Sequence, residues 1–128
     1  MRKIELKTQV VEKSICARLS TDVDSGNALA LREALIHVVD SGPAVVFLDL
    51  AEVRKMDTAG IAVLVEMHDR MKKEGRQMGL VNTPEALAGM LELLGVFKIY
   101  PDVNAGIKAT KKLQAKWQRL HDPTRLLD

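Results

Sequence analysis

The chain has 128 residues, 47% of them hydrophobic, which is enough for one domain with its own core and too little for two. Its 19 basic and 17 acidic residues leave a net charge of +2, and its aromatic residues are two Phe, one Tyr and one Trp. That balance excludes a general field or a stacking platform for nucleic acid. A single cysteine, no apolar leader and no apolar run near the ~20 residues of a bilayer span predict a cytoplasmic protein.

The first part of the chain is predicted to form a hairpin and then a helix. Apolar and polar residues alternate over residues 4–11, a polar turn follows at 12–13, and residues 14–19 form the second strand. Asp24 or Ser25 is available as the N-cap of the helix. One apolar face marks this helix, which residues 40–43 end: Ala28, Leu31, Leu35 and Val38.

The middle of the chain predicts a buried strand followed by a second helix. Residues 44–50 are almost continuously apolar, as in a strand covered on both faces. A helix begins at the segment 57–60 and ends with Gly75 after a basic last turn. Its apolar stripe has helical spacing: Ile61, Leu64, Val65, His68 and Met71.

The last part of the chain predicts two more strand–helix pairs. A short strand at 78–81 leads into a helix with Thr83 as N-cap and Pro84 in its first turn. A brief extended piece at 97–100 precedes a helix from Asn104, which Asp122–Pro123 ends before a loose tail. Two apolar stripes go with these helices: Leu87, Met90, Leu91 and Leu94, then Ile107, Leu113, Trp117 and Leu120.

The order ββαβαβαβα predicts a single α/β domain. Strands that alternate with helices indicate a mixed sheet of four or five strands with a parallel centre, and four or five helices around it.

The sequence contains no recognisable catalytic or metal-binding pattern. His37, His68 and His121 are far apart and lack ligand spacing, so we expect no metal, and no cofactor motif is present. His68 lies on an apolar stripe and is interpreted as a hydrogen-bonded core residue, and Cys16 as a small buried one. A binding protein is therefore favoured over an enzyme, although a small enzyme using a pocket beside Asp57 stays open.

The segment Asp57–Thr58–Ala59–Gly60 can be interpreted in two ways. Asp57 is a good N-cap, and Gly60 permits close packing, so the segment can be a plain helix start. It also follows a buried strand, and the carboxyl ends of such strands form the working edge of open α/β sheets. A hydroxyl there can instead be a site where a phosphate is added and removed.

Segments along most of the chain resemble the STAS domain, and in particular the bacterial anti-sigma factor antagonists. The similarity runs from about residue 4 to residue 109, and four segments carry it: Asp49–Leu50, Met56–Leu64, Gly75–Arg76 and Leu94–Pro101. We therefore divide the chain into a STAS domain at 1–110 and a helical extension and tail at 111–128.

The resemblance implies a phospho-switchable binding module, a monomer or weak dimer. An anti-sigma factor serine/threonine kinase would bind the unphosphorylated protein and phosphorylate Thr58, and a PP2C-type phosphatase would reverse the reaction. The partner-binding residues implied are Asp24, Asp57, Thr58, Ala59 and Gly60. Two positions depart from the family's pattern: Ala59 leaves a single hydroxyl after the acid, and Thr21 replaces a loop glycine.

Two questions stay open at this stage. An alternative function is a STAS subunit of a bacterial lipid-transport ABC complex, in which Thr58 would be an interface residue. The last helix carries five cations and no acid between Ile107 and His121: Lys108, Lys111, Lys112, Lys116 and Arg119. These cations form either a solvated face or a docking surface for an acidic partner or a membrane surface.

Overall fold

The computed structural model describes residues 3–121, in which strands and helices follow the predicted order ββαβαβαβα. The strands are β1 (Leu6–Val11), β2 (Ser14–Leu19), β3 (Val45–Asp49), β4 (Gln77–Val81) and β5 (Lys98–Tyr100). The helices are α1 (Ala28–Asp40), α2 (Thr58–Lys73), α3 (Glu85–Leu94) and α4 (Val103–Leu120). The predicted α/β class is confirmed, with five strands and four helices.

The five strands form one sheet in chain order, β1-β2-β3-β4-β5. β1 and β2 are an antiparallel hairpin, and every later pairing is parallel. In the register of the sheet centre, Ile15 lies opposite Val46, and Val46 lies opposite Met78. All five residues of β3 are buried, which confirms the predicted strand covered on both faces.

Helices cover the two faces of the sheet unequally. Alternate residues of β3 point to opposite faces, so Val46 and Leu48 pack with α1, α2 and α3, whereas Val45 and Phe47 pack with α4. α4 comes closest to the sheet at Gly106, where a Cβ atom would overlap the Phe47 ring. The larger core therefore lies under three helices and the smaller one under α4.

Two predicted helix caps are wrong. α1 begins after Asn27, not after Asp24 or Ser25, and no side-chain hydrogen bond caps it. The Asn27 amide oxygen instead accepts the backbone N–H of Asp24 at 2.9 Å, so it holds the preceding loop. At α3 the N-cap is Pro84, with φ −56° and ψ 145°, and Thr83 makes no capping bond.

Two predicted apolar stripes are buried only in part. In α3 the residues Leu87 and Leu91 are buried, whereas Met90 and Leu94 are 38% and 47% exposed. In α4 Leu120 is 52% exposed. Both helices lie at the margin of the core, where an apolar stripe is wider than the surface available to cover it.

The remaining expectations have mixed outcomes. His68 is buried as predicted, but its Nδ1 finds no hydrogen-bond partner among residues 3–121, and its ring lies edge-on to Phe97. Cys16 is buried, and burial raises the pKa of its thiol.

α4 ends at Leu120, and the predicted stop at 122–123 and the tail at 124–128 lie outside the described residues. No helix within residues 3–121 is long and apolar enough to cross a bilayer.

Candidate functional site

The junction between β3 and α2 lies at the carboxyl edge of the sheet. β3 ends at Asp49, a loop crosses this edge, and α2 begins at Thr58. The loop is held close to the sheet, because Leu50 donates its N–H to the carbonyl of Val81 at 3.1 Å and Val53 is fully buried. The first turn of α2 is therefore positioned by the most buried strand of the molecule.

Asp57 caps α2 with its side chain. Its Oδ1 accepts the backbone N–H groups of Ala59 at 3.0 Å and of Gly60 at 3.3 Å, while its backbone is extended with φ −86° and ψ −177°. Two of the four free N–H groups of the helix start are thereby satisfied. The capping role expected for Asp57 is confirmed.

Thr58 is the first residue of α2, and it is exposed. Its hydroxyl forms no hydrogen bond to another described residue, so the cap does not use it. The site thus separates two tasks between adjacent side chains: Asp57 holds the helix start, and Thr58 presents a hydroxyl to solvent beside it.

Gly60 is buried in the first turn of α2 because the helix start packs tightly against the loop before it. A Cβ atom on Gly60 would lie 2.7 Å from Cγ of Met56 and 2.8 Å from Cγ1 of Val23. Contacts this short do not occur in folded proteins without a shift of the neighbours. Gly60 therefore fixes the position of the helix start, and it contributes backbone and not side chain to any partner surface.

A short parallel bridge joins this junction to the loop after β2. Val23 pairs with Met56, with its N–H donating to the Lys55 carbonyl at 3.1 Å and its carbonyl accepting the Asp57 N–H at 3.0 Å. Asp24 follows Val23 directly. The structure thus brings Asp24 and the segment 57–60, which the family resemblance implied as partner-binding residues, to one edge of the sheet.

Asp22 clamps the same two loops together. Its Oδ1 accepts the backbone N–H of Arg54 at 2.7 Å and of Lys55 at 3.1 Å. These bonds, the one from Arg54 first, hold the pKa of the Asp22 carboxyl below its usual value. Asp22 was not among the predicted site residues, and its partners lie more than thirty positions away in the sequence, so no local spacing indicates it.

Asp24 lies in a loop that is ordered by its own hydrogen bonds. Its Oδ1 accepts the Gly26 N–H at 2.7 Å, and its own N–H donates to Asn27. Asp24 is half-buried. Thr21, at the position where the resemblance implies a loop glycine, does not have a positive φ, so a threonine there requires no strained backbone.

A second acidic side chain at this edge is buried in the sheet. Asp49 ends β3 with only 3% of its surface exposed, and it accepts hydrogen bonds from Ala51, Arg18 and Asn82. The Arg18 contact, at 3.4 Å, is long for an ion pair. Asp49 closes the end of the sheet beside the junction, which is a structural task.

The site consists of the exposed Thr58 hydroxyl on a helix start that hydrogen bonds hold in place. Among residues 3–121 no group of three His, Cys, Asp or Glu side chains is arranged to hold a metal ion. His37 and His121 are exposed in α1 and just after α4, whereas His68 is buried in the third turn of α2. The accessible reactive group of the junction is the Thr58 hydroxyl at the start of α2.

Comparisons with known proteins agree on one family. The STAS domain profile matches residues 5–109. The anti-sigma-B factor antagonist of Bacillus subtilis (strain 168) is 30% identical over 94 residues, which are 73% of this chain and 84% of the relative.

Solved structures of similar proteins have the same fold. An anti-sigma factor antagonist from Mycobacterium paratuberculosis matches with a TM-score of 0.75 at 23% identity, over 85% of this chain and 95% of that one. SpoIIAA, a Bacillus cell fate determinant, matches in its unphosphorylated form with a TM-score of 0.64, over 84% of this chain and 97% of that one. Its phosphorylated form matches with a TM-score of 0.62, over 83% and 98%, and both forms are 13% identical to this chain.

Proposed function

The chain belongs to the STAS domain family, in its anti-sigma factor antagonist branch, and from that premise we propose that a phosphate on Thr58 switches its partner-binding surface. The unphosphorylated protein binds an anti-sigma factor serine/threonine kinase and so keeps that kinase from its sigma factor. Phosphorylation by the same kinase ends the complex, and a PP2C-type phosphatase restores it. The working part of the protein is a surface and not a catalytic centre.

One observation carries the proposal: Thr58 presents a free, exposed hydroxyl in the first turn of a helix that Asp57 already caps. A kinase needs an accessible hydroxyl on a backbone that it can recognise. Because the cap does not depend on Thr58, a modification there leaves the helix start intact. Ala59 next to it has no hydroxyl, so a single acceptor stands at this position.

The fold has a physical reason to tolerate the phosphate. Phosphorylation adds about −1.5 to −2 charges at the N-terminus of α2, where the helix dipole favours negative charge. Repulsion from the Asp57 carboxylate opposes this gain, but solvent screens it because Thr58 is exposed. SpoIIAA, solved in both forms, keeps a fold that matches this chain in each of them.

A bound partner has a physical reason not to tolerate a phosphate on Thr58. Packed against the junction, the partner would have to desolvate a dianion beside Asp57 without a counter-charge. A cost of ~3 kcal/mol weakens binding about 150-fold, which is sufficient for a switch that needs no refolding.

The proposed partner surface combines the two loops that the Val23–Met56 bridge joins. It consists of Asp24 from the loop after β2 and of the first turn of α2 with its cap. Because the bridge and the Asp22 clamp hold these loops together before any partner arrives, binding would pay little to order them. The proposed surface residues are Asp24, Asp57, Thr58, Ala59 and Gly60.

The phosphorylation site is tested by incubating the protein with ATP and the anti-sigma factor kinase of the same organism. We expect one added phosphate by intact mass, located on Thr58 by peptide mapping, and none on Thr58→Ala. Thr21→Ala, in the loop beside the junction, is the matched control and should be phosphorylated like the wild type. A phosphate on Ser20, Thr21 or Ser25 with Thr58 unmodified contradicts the assignment.

The switch itself is tested by titrating the kinase with Thr58→Glu and Thr58→Ala. The acidic variant should keep its native circular dichroism and lose affinity at least about tenfold, whereas the alanine variant should bind like the wild type. Equal binding by both variants would mean that charge at this junction is not the switch. The lipid-transport alternative, in which Thr58 is an interface residue, would then be favoured.

A further inference from the structure

The outward face of α4 is a continuous basic surface, called here the basic face. The buried side of the helix is formed by Gly106, Ile107 and Thr110. Helical spacing places the cations on the opposite side, three on the outermost line and one on each flank. The outermost line is Lys108, Lys112 and Arg119, and the flanking residues are Lys111 and Lys116.

All five side chains of the basic face are exposed, and none forms an ion pair with another residue in the described part of the chain. From Lys108 to Arg119 the line is about 16 Å long. One acidic side chain, Glu12, lines a shallow depression together with Lys108 and Lys111. The charge of the face is therefore available to a partner.

The charge is distributed very unevenly between the two sides of the sheet. α4 carries a formal charge of +5, whereas α1, α2 and α3 carry −1, +1 and −2, together −2. The chain as a whole has only +2. Long-range attraction to a negative surface would thus orient the molecule with α4 toward that surface.

We propose that the basic face adsorbs to membrane surfaces that contain anionic lipid headgroups. Clusters of four to eight Lys and Arg on one side of an amphipathic helix match such surfaces, because the attraction needs charge but no shape complementarity. The Thr58 junction starts a helix on the other face of the sheet, so an adsorbed molecule can still present it. This inference does not rest on the proposed function.

Two other anionic partners, an acidic protein and single-stranded nucleic acid, fit the basic face less well. Four of its five cations are Lys, which is depleted at protein interfaces, and its outermost line offers no aromatic or large apolar anchor. Binding of single-stranded nucleic acid would require aromatic side chains for stacking, and Trp117, the one aromatic residue of α4, packs against the core under the helix. A flat lipid surface needs neither feature.

The test is sedimentation of the full chain with vesicles at physiological ionic strength. Phosphatidylcholine vesicles that contain phosphatidylserine should bind the wild type, and pure phosphatidylcholine vesicles should not. Each basic side chain near such a surface contributes roughly a fivefold factor, so K108Q/K112Q/R119Q should bind about 100-fold more weakly. The matched control, R70Q/K72Q/K73Q, removes three charges from the last turns of α2, far from the Thr58 junction, and should lose only a few-fold.

Three results would overturn the proposal. The first is equal binding of the wild type to both kinds of vesicle, and the second is an equal loss in the two triple variants. The third is tighter binding to a short DNA duplex than to the anionic vesicles at the same salt. Circular dichroism verifies that each variant is folded, and phosphorylation of Thr58 in solution should be the same in all of them, which separates this test from that of the switch.

Discussion

Two strand-to-helix junctions at the same edge of the sheet differ in how their helices begin. α2 follows β3, and the side chain of Asp57 caps it with two hydrogen bonds. α3 follows β4, and Pro84 occupies its N-cap without any side-chain bond. Each junction has a threonine, yet Thr58 is exposed, whereas the hydroxyl of Thr83 is buried and finds no hydrogen-bond partner among the described residues.

This difference separates an exposed hydroxyl that the helix cap does not use from a buried one without a hydrogen-bond partner among residues 3–121. At the start of α2 the backbone is fixed by the cap, the Val23–Met56 bridge and the Asp22 clamp, so the helix start does not depend on the Thr58 hydroxyl. The start of α3 has no side-chain cap, and the loop before it is held by Asn82, which donates its backbone N–H to the Pro101 carbonyl and its side-chain amide to Asp49, each at 3.2 Å.

Adding a methyl group to a glycine should affect the two helices in opposite directions, and this is the largest effect we expect. Gly60→Ala forces a contact with Val23 and Met56 and should lower the free energy of unfolding by about 1 to 3 kcal/mol. Gly89→Ala in α3 meets nothing within 4 Å and should raise it by about 0.5 to 1 kcal/mol. Urea unfolding measures both, and two changes of the same sign would contradict the difference in packing.

Removing the cap tests the second difference between the junctions. Asp57→Ala should lower the free energy of unfolding by about 1 kcal/mol, whereas Asp57→Asn keeps an acceptor and should lose a few tenths. Thr83→Ala removes no capping bond and serves as the comparison at α3. Thermal melts of the three variants decide the matter, and an Asp57→Ala variant as stable as the wild type would show that the bridge alone holds the helix start.

The Asp22 clamp should make the α2 junction sensitive to acid. The backbone N–H groups of Arg54 and Lys55 lower the pKa of the Asp22 carboxyl. The charged carboxylate therefore contributes to the free energy of unfolding above its unfolded-state pKa of about 3.9. That contribution is lost as the pH falls through the folded-state pKa. Asp22→Asn should be less stable than the wild type at neutral pH and should lose less stability on acidification. Unfolding curves at several pH values below 5 measure this, and parallel losses in both proteins would contradict it.

The smallest effects are expected from replacing the two threonines by valine. Thr58→Val changes an exposed side chain and should alter the free energy of unfolding by no more than about 0.5 kcal/mol, while it abolishes phosphorylation at that position. Thr83→Val removes a buried hydroxyl without a partner and should be neutral or stabilising by a few tenths of a kcal/mol. Chemical unfolding together with a phosphorylation assay checks the pair. A clear loss of stability in Thr83→Val would mean that its hydroxyl has a partner.

The elements of the fold could be predicted because their signals are local. The apolar run of β3 and the spacing of Leu31, Leu35 and Val38 in α1 depend on neighbouring residues alone. The cap of α2 could be predicted for the same reason, since Asp57 bonds to N–H groups two and three positions later.

The features that were missed depend on partners distant in sequence or on shared space. Asp22 bonds to residues 54 and 55, and Asn27 is used by the loop before it. The exposure of Met90 and Leu94 follows from how little of α3 the core can cover, which no pattern within the helix indicates. The resemblance to a family brought Asp24 and Thr58 into one site; the residues by themselves did not.

The order of the strands in the sheet has a consequence for biosynthesis. Because β1 to β5 are neighbours in the order of translation, each strand can pair with its predecessor as soon as it leaves the ribosome. The face of β3 that carries Val45 and Phe47 is an exception, because the helix that covers it is α4, which follows all five strands of the sheet in the sequence. A nascent chain therefore keeps this apolar surface of β3 uncovered until Val103–Leu120 has emerged and folded, and during that interval the surface is prone to aggregation.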